Sequence, residues 1–136
     1  MKKLLLGLLL LPFLAFMHHS TSVVEVRSGQ WPISLEKDVD TPGTYSLVFR
    51  NQEYMQSTVM DTLNFHDIGQ LKYFEQALSV LATGHNGDIA RFKDYSVKRA
   101  EKKFEGVWYI LTLKWSSTSF QQPEADILRK TIKSLR

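Results

Sequence analysis

The sequence predicts an α+β domain, in which an antiparallel sheet of about five to seven strands is packed by two helices after an N-terminal signal peptide. Short strand-like runs dominate the first half of the chain, and the apolar period then changes from two to about 3.6 residues near residue 68. A hairpin-like segment and a closing amphipathic segment follow. This order of elements is typical of helices that cover one antiparallel sheet.

The first 22 residues have the three-part pattern of a secretory signal peptide. Lys2 and Lys3 precede an apolar run over residues 4–17, which is shorter than the roughly 20 residues of a membrane-spanning helix. Ser20 and Ser22 are small enough for the positions before a cleavage site. We therefore predict a signal peptide over residues 1–22, a single domain over residues 23–136, and a periplasmic or secreted protein. If the first segment stays uncleaved, it would instead anchor the protein in a membrane.

The strands of the predicted sheet are marked by alternation of apolar and polar residues. Tyr45, Leu47 and Phe49 alternate with polar neighbours, which is the pattern of a half-buried strand. Before them, Pro42 fixes φ and Gly43 can take a positive φ, so this pair predicts a turn. Strand-like runs occupy residues 23–27, 32–38, 44–51, 55–63 and, more briefly, 89–92.

Residues 68–82 predict the first helix, because their apolar side chains recur at intervals of three and four residues. Asp67 is placed to cap its N-terminus, with Gln70 three residues later as in a capping box. Gly84 is placed just beyond its end. The apolar face comprises Leu71, Phe74, Leu78 and Leu81.

Residues 123–135 predict the second helix. Pro123 suits its first position, Glu124 and Asp126 fall in the first turn, and basic residues follow toward the C-terminal end. These charges complement the helix dipole. The apolar face comprises Ala125, Leu128, Ile132 and Leu135.

The segment "DYSVKRAEKKFEGVWYILTLKW", residues 94–115, predicts a hairpin whose register follows from its charges. A register shifted by one residue would bury Lys98 without a partner, at a cost of several kcal/mol. The favoured register leaves residues 102–106 as a solvated, lysine-rich loop. It pairs Tyr95, Val97 and Arg99 with Leu113, Leu111 and Tyr109 on the core face.

The opposite face of this hairpin is half apolar and cationic, and it is the predicted binding surface. It carries Lys98 across from Ile110, Trp108 near the loop, and Lys114 beyond the last pair. We call these four residues the outer face. The sequence leaves open whether the second helix covers it. Its expected partner is another protein or an anionic envelope component.

Most familiar chemistry is excluded or unsupported by the sequence. There is no cysteine, no Ser in a G-x-S-x-G turn and no glycine-rich phosphate loop. His85 is isolated in its loop, so we expect neither a metal nor another cofactor. Residues 23–67 carry three basic against seven acidic side chains, and residues 68–136 twelve against seven. The acidic excess of the first segment nearly cancels the basic excess of the second, so the domain as a whole is close to neutral. A nearly neutral domain disfavours a specific nucleic-acid partner.

These observations predict a small exported binding or accessory protein, without enzyme activity, that acts through a sheet surface. One alternative is a small envelope hydrolase or carbohydrate-active enzyme, in which His66 works with Asp61 or Asp67. It requires these groups to converge in a concave pocket. The other alternative is a structural subunit anchored in the membrane by an uncleaved N-terminus.

Overall fold

The computed structural model describes residues 19–29, 31–52 and 60–136, which form two four-stranded antiparallel sheets and two α-helices. Each sheet is a meander of consecutive strands and is followed by one helix. The elements are β1 (Ser20–Ser28), β2 (Trp31–Asp38), β3 (Tyr45–Arg50), β4 (Met60–Phe65), α1 (Ile68–Ala82), β5 (Ile89–Arg91), β6 (Tyr95–Lys102), β7 (Gly106–Leu113), β8 (Ser117–Gln121) and α2 (Gln122–Ser134).

The prediction of an α+β fold with antiparallel pairing and two helices is confirmed, but the prediction of one sheet is wrong. The chain leaves the first sheet at β4, passes through α1 and begins a second meander at β5. A strand that the sequence did not predict, β8, completes the second sheet. Its segment "STSFQ" is mostly polar, yet Thr118 and Phe120 are both buried. Pattern alone could not reveal this strand, because Thr118 replaces an apolar residue on its inner face.

The first sheet places its alternating apolar residues on one buried face. Leu47 pairs with Leu35 on one side and with Leu63 on the other, and all three are buried. Predicted strand residues 55–59 lie outside the described residues, as do residues 1–18. Strand β1 begins at Ser20, so the predicted signal-peptide boundary after Ser22 falls inside this strand.

The predicted hairpin register is confirmed by β6 and β7. Tyr95 pairs with Leu113, Val97 with Leu111, and Arg99 with Tyr109. The strands continue further than predicted, since Lys102 pairs with Gly106 and the loop is reduced to residues 103–105.

Both helices pack their apolar faces into the core that the two sheets share. Helix α1 has the predicted bounds, and the Asp67 carboxylate accepts a hydrogen bond from the Gln70 amide at 2.8 Å. The Gln70 side chain in turn accepts a hydrogen bond from the His66 amide at 2.9 Å. Helix α2 begins and ends one residue before its predicted bounds. Asp67 therefore caps α1 as predicted, while the Gln70 side chain binds the amide of the residue before the cap rather than that of the cap itself.

The carbonyl groups at the ends of both helices are bound by cations from other elements. Arg99 on β6 donates hydrogen bonds to the Leu81 and Ala82 carbonyl oxygens at 2.8 Å each. Lys72 on α1 donates to three carbonyl oxygens at the end of α2, of which Ile132 O is nearest at 2.6 Å. These contacts satisfy acceptors that a helix cannot satisfy internally, and they tie the helices to each other and to the second sheet.

Candidate functional site

The outer face of the second sheet points away from both helices. Tyr109 and Leu111 of β7 lie in the core with Leu128 and Ile132 of α2, and alternation directs the intervening β7 residues to the other side. Helices α1 and α2 therefore pack on the opposite side of the second sheet from the outer face.

Exposure differs along the outer face. Lys98 and Lys114 are exposed, whereas Trp108 and Ile110 are half-buried. Lys98 lies directly opposite Ile110 in the predicted pairing. The outer face is thus a partly apolar strip with cations beside it, as expected from the sequence.

Trp108 has a different cationic neighbour from the predicted ones. The Lys102 ammonium lies 4.6 Å from the centre of the Trp108 ring, and the Lys114 ammonium lies 5.3 Å from the centre of Trp115 instead. The Trp108 indole nitrogen is buried, and no described residue accepts a hydrogen bond from it. Lys114 lies just beyond the end of β7, six residues after Trp108, which is roughly 20 Å of extended chain. The two ends of the outer face therefore have separate surroundings.

The Lys114 end of the outer face opens into a cleft that we call the turn cleft. It has a volume of about 600 Å³ and lies between Asp61 at the start of β4, the β5–β6 turn and the β7–β8 turn. Its cations are Arg91, Lys93 and Lys114, and its carboxylates are Asp61 and Asp94. Trp115 is 75% exposed at its rim.

A smaller cleft of about 210 Å³ lies on the other side of the β5–β6 turn. The Phe92 ring stacks on the Tyr95 ring with 4.5 Å between ring centres, and these two residues line both clefts. His66 and Gln70 line the smaller cleft only. Stacked aromatic rings therefore divide the two concave surfaces.

The three residues of the enzymatic alternative lie in different places. His66 is exposed in the smaller cleft, Asp61 lines the turn cleft, and the Asp67 carboxylate caps α1. Asp61 accepts a hydrogen bond from the Thr62 amide at 2.8 Å. Among the described residues, His66 forms no ion pair with a carboxylate. The structure thus gives the enzymatic hypothesis no assembled acid–base pair, and it stays a prediction.

The described residues contain no group of three His, Asp or Glu side chains arranged to hold a metal ion. Between residues 19 and 136, apart from the gaps at 30 and 53–59, no helix is long and apolar enough to cross a membrane.

Sequence reasoning missed Trp115, Arg91 and Lys93 as site residues. A signal was present for Trp115, because it follows the last paired residue of β7, Leu113, by two positions and so belongs to neither face of the strand. Arg91 and Lys93 gave no such signal. They reach the turn cleft only because β5 pairs with β6 beside β7.

Tyr95, which lines both clefts, makes the stability of the folded protein depend on pH. Burial raises the pKa of the Tyr95 hydroxyl above its ordinary value of about 10. The unfolded chain therefore loses this proton at a lower pH than the folded protein does. The contribution of the protonated Tyr95 hydroxyl to the free energy of unfolding is present in full below about pH 10. It is lost as the pH rises toward the folded-state pKa.

We expect the urea midpoint of unfolding to fall above about pH 10, and to fall less steeply in Tyr95→Phe. In Tyr95→Phe the urea midpoint still falls somewhat with pH, because burial also raises the pKa of Tyr109. Tyr73→Phe is the control, because that ring is 61% exposed. Identical slopes for the parent protein and Tyr95→Phe would contradict this assignment.

Comparison with known proteins finds no relative for the chain: no family model matches it, and neither does any curated protein or solved structure.

Proposed function

We propose that the protein is an exported, non-enzymatic binding or accessory protein that holds an anionic protein or other anionic envelope component. The binding site comprises the turn cleft and the Lys114 end of the outer face. Trp115 carries the proposal, because a tryptophan that is 75% exposed beside a lysine contributes little to the core and is available to a ligand. The pattern of residues 1–22 supports export to the periplasm or beyond the cell.

The charges around the turn cleft support an anionic partner. Arg91, Lys93 and Lys114 are all exposed, so each can reach a ligand without losing a buried contact. Two carboxylates, Asp61 and Asp94, line the same cleft, so it carries one more positive than negative charge. Such positive charges at the rim favour association with an acidic surface.

The test is a fluorescence titration of the exported protein with poly-L-glutamate, a simple acidic polymer. Because Trp115 is solvated, its emission is expected to change on binding, and the affinity is expected to fall as salt is added. The double variant Lys93→Glu with Lys114→Glu is expected to bind roughly 10-fold more weakly. Trp115→Ala is expected to weaken binding by a similar factor.

The matched control is Lys37→Glu with Lys130→Glu, which changes the net charge equally on β2 and α2. It is expected to bind within about 3-fold of the parent protein. An equal loss in both double variants would show that binding follows net charge alone, and the proposed site would be wrong. Lys98→Glu reports whether the outer face contributes beyond its Lys114 end.

A further inference from the structure

The loop of the β6–β7 hairpin presents an aromatic ring almost entirely to solvent. We call residues 102–105 the hairpin tip. Phe104 at its apex is 97% exposed, more than any other large apolar residue among those described. The tip lies at the far end of β6 and β7 from the turn cleft, roughly 25 Å away along the strands.

The backbone of Phe104 lies in the left-handed region, with φ of 74°. This conformation is uncommon for any residue except glycine, and bulky side chains are disfavoured there. The same three-residue loop would form more readily with glycine or asparagine at this position. An apolar ring that is both solvated and on a disfavoured backbone does nothing for the fold, which points to a role outside it.

One cation lies beside the exposed ring, and a second lies at the base of the tip. The Lys103 ammonium is 5.4 Å from the centre of the Phe104 ring, whereas the Lys102 ammonium lies over Trp108. Glu105 is the carboxylate of the tip, while the nearby Glu101 carboxylate accepts a hydrogen bond from Arg99 at 2.9 Å. The tip is therefore apolar at its apex and basic on balance around it.

We propose that the hairpin tip docks on an anionic lipid bilayer, with Phe104 entering the headgroup region and Lys102 and Lys103 contacting lipid phosphates. This shape fits a membrane better than a protein. A stable protein interface buries about 800 Å² on each partner around a packed centre, whereas Phe104 projects alone from a convex loop of exposed charged residues. A bilayer accepts a single projecting ring, and lysine stems can extend along it to the charged surface.

The proposed contact is weak and reversible. One ring and two lysines give a partition constant on the order of 10³ M⁻¹, about tenfold below that of a single acyl chain. It does not depend on retention of residues 1–22, and it would leave the turn cleft at the opposite end of the hairpin free for a partner.

The experiment is co-sedimentation of the exported protein with phosphatidylcholine vesicles, with and without phosphatidylglycerol. We expect binding only to the anionic vesicles. Phe104→Gly is expected to lower it by roughly 10- to 100-fold, the equivalent of one phenylalanine side chain returned to water. Lys102→Ser with Lys103→Ser is expected to lower it and to remove most of its salt dependence.

Phe104→Gly is expected to unfold at the same or a higher urea concentration, because glycine tolerates a positive φ, so a loss of binding would not reflect unfolding. Val39→Ser is the matched control, because Val39 is an exposed apolar residue just beyond the end of β2, and it is expected to bind vesicles like the parent protein. In Phe104→Trp, the tryptophan emission is expected to shift to shorter wavelength when anionic vesicles are added, and not when neutral vesicles are added. Equal binding to neutral and anionic vesicles, or unchanged binding by Phe104→Gly, would overturn the proposal. If Phe104→Gly instead weakened binding to poly-L-glutamate, the tip would belong to a protein site.

Discussion

Replacement of Arg99 by methionine is expected to lower the free energy of unfolding by about 3 kcal/mol. The guanidinium group is about 90% buried and donates to the Leu81 and Ala82 carbonyl oxygens at the end of α1. Helix α1 has no basic residue in its own last turn, so Arg99 is the cation at its negative end. Methionine keeps much of the side-chain volume, but it removes both Arg99 hydrogen bonds. The Leu81 carbonyl oxygen then keeps only the hydrogen bond from the Gly84 amide at 3.1 Å.

The measurement is urea unfolding of the protein at neutral pH, followed by circular dichroism. Arg91→Met on the neighbouring strand is the control, and it is expected to change stability by less than about 0.5 kcal/mol, because Arg91 is exposed. Arg99→Lys should fall between the two, since lysine keeps the charge but lacks the planar group that reaches both carbonyl oxygens. An unchanged urea midpoint in Arg99→Met would show that this contact does not stabilise α1.

The parts of the fold that could be predicted are those fixed by local pattern. Helix α1 was predicted to the residue, because its apolar spacing and its Asp67 cap lie within one continuous segment. The β6–β7 register was predicted because only one alignment keeps Lys98 out of the core. The division into two sheets could not be predicted, since it depends on which strands meet after the chain passes through α1.

The candidate site shows the same division between local and distant contacts. The outer face followed from alternation in β7, whereas the turn cleft requires β4, β5 and two turns to meet. Arg99 was correctly placed on the core face, but its role there depends on where α1 ends. Lys102 was assigned to a solvated loop, yet it belongs to β6 and its ammonium lies over Trp108, because the pairing continues one residue pair further than predicted.

A buried carboxylate between the two helices is the basis of the second large expected loss of stability. Glu75 of α1 is 5% exposed, and its carboxylate lies 3.7 Å from Arg129 and 3.6 Å from Lys133 of α2. Arg129→Met is expected to destabilise the protein by about 2–3 kcal/mol, because it leaves a buried carboxylate with only the partly solvated Lys133 nearby. Lys133→Met is expected to cost less than about 1 kcal/mol, since that side chain is 59% exposed.

The double variant Glu75→Leu with Arg129→Met separates the cost of an unpaired charge from the value of the ion pair. Desolvation of both ions offsets much of their attraction, so a pair of apolar residues in the same space is expected to restore stability to within about 1 kcal/mol of the parent protein. Urea unfolding of the four proteins in this cycle should therefore give a coupling energy of about 2 kcal/mol. If the double variant were as unstable as the sum of the single variants, Glu75 and Arg129 would act independently. The ion pair would then not explain how α1 and α2 are held together.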